Sequence, residues 1–205
     1  MEVMVSYINK KTKTKRKIQE SLLELMKTKK FEAITINDIT TLIDINRSTF
    51  YRHYLDKYEV LEKIEDSILS EIINFHGTFI HSLPNKNIDV SFEIKDYITV
   101  DNNFFNIFEK HLGTMHILMS ENGSITFQNK LNNTMLKVFE RTFSLASLKL
   151  NNIEKDLLFN FQAASFISIL YYWTEHPELT VQELFPFYSK IISTGLVNFV
   201  KENMK

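Results

Sequence analysis

At 205 residues, 44% hydrophobic and 13% aromatic with 17 Phe, the chain has apolar material for a large folded core, which excludes a disordered polypeptide. It contains no cysteine, which excludes disulfides, zinc–thiolate sites and a cysteine nucleophile, and its 4 Gly and 3 Pro leave few strand-breaking signals. The net charge of −1 conceals an asymmetry, since residues 1–60 carry twelve Lys/Arg against eight Asp/Glu and residues 61–205 carry twelve against seventeen.

The first thirty residues are crowded with lysine and lack an apolar core segment, so no secretory signal is expected. No apolar stretch approaches the roughly 18 residues of a membrane span, so the expectation is a soluble, cytoplasmic protein with no membrane partner. From Thr12 to Lys29, Ile18, Leu22, Leu25 and Met26 recur at helical spacing, with charged residues on the other face. Thr35 followed by Asp38 forms a capping-box pattern for a second helix with Ile36, Ile39, Leu42 and Ile43 on its apolar stripe. "DIN" at 44–46 is a turn, and Asn46 is a suitable N-cap for a third helix over 47–53. A fourth helix begins near Asp56, whose carboxylate suits the helix dipole, and extends to about His81.

The loop 83–89, "LPNKNID", precedes a helical stretch over 91–111. The break "SENGS" at 120–124 separates it from a helix over 125–147, followed by helices over 153–175 and 180–203 with Pro177 between them. No convincing strand alternation occurs, so the class is all-α, with about nine helices expected. The charge asymmetry divides the chain into a basic module over 1–60 and a helical remainder over 61–205.

Two short helices joined by a tight turn form a helix-turn-helix, whose second helix can enter the major groove of double-stranded DNA. In "RSTFYRHY", Phe50 and Tyr54 are four apart and share an inward face toward Ile39 and Leu42. That leaves Arg47, Ser48, Thr49, Tyr51, Arg52 and His53 to point outward, with donors and acceptors suited to base edges and phosphates. Thr35 and Lys57 stand near helix starts, where backbone phosphates can be held. The competing reading is a helical corner with a solvated polar tip.

The stretch "ITINDITTLIDINRSTFYRHYLDKYEVLEKI" resembles the N-terminal domain of the TetR family of transcription regulators. The family patterns "T(V/I)xDIA", "vsrgTfYrhF" and "xsKeeLl" are matched by Thr35–Thr40, Asn46–Tyr54 and Asp56–Leu61, within a resemblance covering about 50 residues from Lys13 to Ile64. Thr40 replaces the usual alanine, and "DIN" lacks the small residue common in the turn. The resemblance implies a three-helix DNA-binding head and a helical C-terminal domain that binds a small effector. It also implies a homodimer reading a palindromic operator, usually as a repressor released by that effector. A regulator of the same fold acting through a protein partner is the alternative.

In the C-terminal half, Phe161, Ala164, Ser165, Ser168 and Tyr172 on one helix are candidates for a dimer interface. Tyr188, Ile192, Gly195, Leu196 and Phe199 on the next could complete it as a four-helix bundle with a second copy. The same residues could instead fill the monomer's own core. Phe104, Phe108, Met115, Phe139, Phe143 and Phe161 could line a cavity for a small apolar or aromatic effector, although aromatic stripes are more often plain core. His111 and His116 lack a carboxylate at ligand spacing, so no metal or other cofactor is expected. No phosphate-binding glycine loop, H-E-x-x-H or G-x-S-x-G motif is present, and no enzymatic activity is expected.

Overall fold

The computed structural model describes residues 2–82, 102–144 and 149–195. Among the described residues there are eight α-helices and one 3-10 turn, with no strand. They form two compact units, one comprising residues 1–68 and 117–128, the other 69–116 and 129–205.

The first unit begins with α1, Glu2–Met26, which starts earlier and ends sooner than the apolar spacing suggests. Ile18, Leu22 and Met26 recur every fourth residue and are fully buried on one face. The 3-10 turn η1, Phe31–Ala33, buries Phe31 and leads to α2, Ile36–Leu42. The capping box at the start of α2 is complete: the Asp38 amide donates to the Thr35 hydroxyl at 3.1 Å, and the Thr35 amide donates to Asp38 Oδ2 at 2.8 Å. Lys29 adds an ion pair to the same carboxylate at 2.7 Å, and these contacts hold the Asp38 pKa down at about 2. Ser21 ties α1 to α2 by donating to the Ile39 carbonyl at 3.1 Å.

Leu42 departs from its expected place in the core, being 51% exposed. The buried positions of α2 are Ile39 and Thr40, so the contact face is narrower than the apolar stripe. Thr40 is accommodated because its hydroxyl donates back to the Ile36 and Asn37 carbonyls at 3.0 and 3.2 Å, leaving no unsatisfied polar atom there. Asp44 supplies the turn with a left-handed backbone, φ 51°, a conformation Asp tolerates better than most residues. The third helix, α3, covers Arg47–Tyr51, two residues shorter than the expected 47–53, and the Asn46 side chain makes no capping bond.

Helix α4, Lys57–Ser82, contributes its first three turns to the first unit and the rest to the second. Its start is capped reciprocally, the Glu59 amide donating to Asp56 Oδ1 at 2.8 Å and the Leu55 amide to Glu59 Oε2 at 2.6 Å. The first unit is completed by the end of α5, Asn102–Met119, the turn after it, and the start of α6, Ile125–Phe143. Gly123 is required in that turn because a Cβ there would lie 2.1 Å from the Leu118 carbonyl oxygen. The Asn122 carbonyl accepts from the Phe31 amide at 3.0 Å, so this turn is stitched to η1.

The second unit contains α7, Asn152–Glu175, and α8, Val181–Thr194, each opened by a capping box (Asn151 with Glu154, Thr180 with Glu183). Helix α8 is capped by Gly195 at a φ of 76°, and the rest of the expected 180–203 helix lies outside the described residues. An aromatic cluster dominates the unit. Phe166 is its hub, with ring centroids 5.1 Å from Phe108, 5.6 Å from Phe105, 5.9 Å from Phe104 and Tyr188, and 6.0 Å from Phe139. No described helix is long and apolar enough to cross a membrane. Leu196 and Phe199, the 83–89 loop and the start of the expected 91–111 helix lie outside the described residues.

Candidate nucleic-acid interface

The four-residue spacing within α3 and the turn that follows it sorts its side chains into two sets. Phe50 and Tyr54 are buried, with ring centroids 6.1 Å apart. Arg47, Ser48, Tyr51 and Arg52 are exposed, while Thr49 and His53 are half-buried. In this state two arginines rest on neighbours: Arg47 Nη2 donates to Asn37 Oδ1 at 3.3 Å, and Arg52 Nη2 donates to Thr49 Oγ1 at 2.8 Å. Both bonds are exposed and can be exchanged for contacts with a ligand.

His53 is less free than its neighbours. Its Nδ1 is buried without a hydrogen-bond partner. Burial, followed by the charges of Lys11, Lys15 and Arg52, holds its pKa below the ordinary histidine value and favours the neutral ring. The same lysines extend the basic surface along α1, where Lys11, Lys13, Lys15, Arg16 and Lys17 are all exposed. Lys15 Nζ also lies 5.5 Å from the centre of the Tyr54 ring. Thr35 is exposed, and its hydroxyl oxygen accepts from Asp38, leaving its own hydrogen available to an anion.

Lys57 is placed differently from the phosphate contact its position suggests. Its ammonium donates to three carbonyls, those of Phe31, Glu32 and Ile34, each at 2.8 Å. An ammonium has three donors, so all are engaged. Partial burial, only partly offset by Glu32, keeps its pKa below the usual lysine value. The spacing of Lys57 from α3 gives no sign of this, because its partners lie 23 to 26 residues earlier in the chain.

In the second unit the expected cavity residues Phe104, Phe108, Met115 and Phe139 are buried together. Phe143 is half-buried and stacks on Phe159 at 5.8 Å. Phe161 is 66% exposed and so does not line that interior. Of the interface candidates on α7, Phe161, Ala164, Ser168 and Tyr172 are exposed, with Ser165 half-buried. Ile153 and Leu157 prolong the exposed apolar stripe by two further turns toward the helix start. Tyr188 is instead buried, its hydroxyl accepting from Gln162 Nε2 at 2.6 Å, and Ile192 is half-buried. His111 bonds Glu71 at 2.8 Å, and His116 lies 3.4 Å from Glu175.

The described residues are all-helical among their regular elements, and the short α2–α3 pair with its basic, polar second helix has the architecture of a helix-turn-helix. More specifically, the fold is that of the TetR-family transcriptional regulators. A TetR transcriptional regulator from Streptococcus agalactiae 2603V superposes with a TM-score of 0.61 at 21% identity, covering 93% of this chain and 98% of that one. A protein of Syntrophomonas wolfei str. Goettingen assigned to the TetR family gives a TM-score of 0.55 at 17% identity, over 90% and 97% of the two chains. In sequence, 75 residues are 39% identical to the uncharacterized HTH-type transcriptional regulator YxbF of Bacillus subtilis (strain 168). That match covers 36% of this chain and 19% of the relative, so the chain spans about a fifth of that protein's length. No family model matches the chain.

Proposed function

We propose that the chain is a cytoplasmic transcription regulator of TetR type, binding a palindromic operator as a homodimer and acting as a repressor. The observation that carries this reading is the division of α3 and its C-cap, which buries Phe50 while exposing Arg47, Ser48, Tyr51 and the capping Arg52. Residues 1–60 carry the DNA-contacting part of the reading head, and most of 61–205 serves as the regulatory and dimerisation domain. Arg47, Ser48, Thr49, Tyr51, Arg52 and His53 meet the operator, Thr35 holds a phosphate, and the exposed lysines of α1 add affinity that falls with salt. The exposed stripe from Ile153 through Phe161 to Tyr172 supports a two-fold interface on α7, which a palindrome reader requires.

Purified protein should enrich palindromic duplexes from a random-sequence pool and sediment at twice the chain mass. With the enriched duplex, Arg47→Ala is expected to cost about 1–3 kcal/mol of binding, concentrated at one base position per half-site. Titration against single-base variants checks this, and equal weakening on all of them would assign Arg47 to the phosphate backbone instead.

A small apolar or aromatic effector acting on the second unit would have to part rings already in mutual contact around Phe166. That packing favours, as a second reading, a regulator of the same fold controlled by a protein partner.

A further inference from the structure

Three carbonyl oxygens converge on the Lys57 ammonium at equal distances of 2.8 Å, which is an arrangement for holding backbone rather than for meeting a ligand. The stem of the same side chain places Nζ 4.8 Å from the centre of the Phe31 ring and 5.4 Å from that of Tyr58, while those two rings meet edge to face at 5.2 Å. Phe31 is therefore held at both ends of its backbone. Its carbonyl accepts from Lys57 and its amide donates to the Asn122 carbonyl at 3.0 Å. The turn η1 carries the chain directly into Thr35, the cap of α2, and α2 in turn carries α3. Whatever fixes η1 fixes the angle at which the reading helix is presented.

We propose that Lys57 is a positioning residue for DNA reading, acting by clasping η1 against the start of α4, and not a phosphate contact. This rests on the reading of α3 as the DNA-recognition helix. The three partners must be gathered by a compact, tetrahedral donor, which only an ammonium supplies. Arginine carries the same charge and grips phosphate at least as well, but its planar fork cannot address three convergent carbonyls in this way. The α5–α6 turn is the second jaw of the clasp, since its Asn122 carbonyl holds the other side of Phe31.

The test uses the duplex that the wild-type protein enriches from a random-sequence pool, titrated over a range of salt with wild type, Lys57→Met and Lys57→Arg. Affinity is measured well below each variant's melting temperature. The expected result is at least a tenfold loss of affinity for both variants, with the slope of log K against log salt unchanged. A slope reduced by about 0.9 in Lys57→Met and restored in Lys57→Arg would make Lys57 a phosphate contact and overturn the proposal. Unchanged affinity with a lowered melting temperature would leave only a structural role and overturn it equally. Should neither variant fold, the ammonium resonance of Lys57 in the wild-type protein is the readout. It should be slowly exchanging and unmoved by the duplex, whereas a shift on adding the duplex would refute the clasp. A wild-type protein that binds no duplex would refute the DNA-reading assignment instead, leaving a distinct signature.

Discussion

Replacing Phe166 by alanine is expected to destabilise the protein by about 3–5 kcal/mol, the range for removing a fully buried aromatic side chain. The ring is 1% exposed and contacts Phe104, Phe105, Phe108, Phe139 and Tyr188, which approach it from α5, α6 and α8. Alanine removes apolar area and leaves a void that five rigid rings cannot close without leaving their rotamers. Several of the lost pairs are edge-to-face, so orientation-dependent ring contacts disappear along with the buried area. Leucine at the same position should recover a large part of the loss. Urea denaturation followed by far-UV circular dichroism measures both variants. A cost under about 1 kcal/mol would mean that the cluster is loosely packed, and would remove the physical objection to an effector entering it.

The second large effect is one of pH. His76 is buried on α4, with Nε2 2.8 Å from the Thr142 hydroxyl, which itself donates to the Val138 carbonyl at 2.8 Å. The hydroxyl hydrogen is committed, so His76 Nε2 must be the donor, which fixes the tautomer of the neutral ring. Burial, reinforced by the charge of Arg141, lowers the pKa from 6.5 to about 4. As pH falls, the unfolded chain takes up this proton near 6.5 and the folded chain only near 4. The stabilisation is therefore complete above 6.5, falls across the window down to about 4, and is absent below it. The loss should total roughly 2–3 kcal/mol. Denaturation at a series of pH values should show this decline in the wild type and a flatter profile in His76→Gln. The carboxylates Asp38, Glu71 and Glu183, all held below their usual values, add losses at lower pH and leave the upper part of the window to the histidine.

The parts of this molecule that sequence made legible are those governed by local rules. The Thr35–Asp38 capping box depends on residues three apart, and the inward placement of Phe50 and Tyr54 depends on residues four apart, so both could be read from spacing alone. Leu42 illustrates where local rules end. It shares the apolar stripe of α2, but which part of that stripe is covered depends on how α1 lies against it, and the covered part reaches only Ile39 and Thr40. Phe161 is a similar case, apolar and in phase with several helical positions, with only its neighbours able to decide that it faces outward. Lys57 was least legible, because a lysine near a helix start suits a phosphate and a carbonyl cluster equally, and its partners come from another element.

The α5–α6 turn has a consequence for how the molecule can be divided. Ile117, Leu118, Met119 and Phe127 are all buried, and their segment belongs to the same compact unit as the helix-turn-helix. The compact unit that holds the helix-turn-helix is thus not a contiguous stretch of chain. A fragment ending anywhere between α3 and Asn122 would leave the Phe31 amide without its acceptor and remove the buried residues of 117–128 from that unit. That unit cannot be excised with one cut, and insertion, deletion or proteolysis at residues 120–124 would disturb the proposed DNA-binding surface encoded some seventy residues upstream.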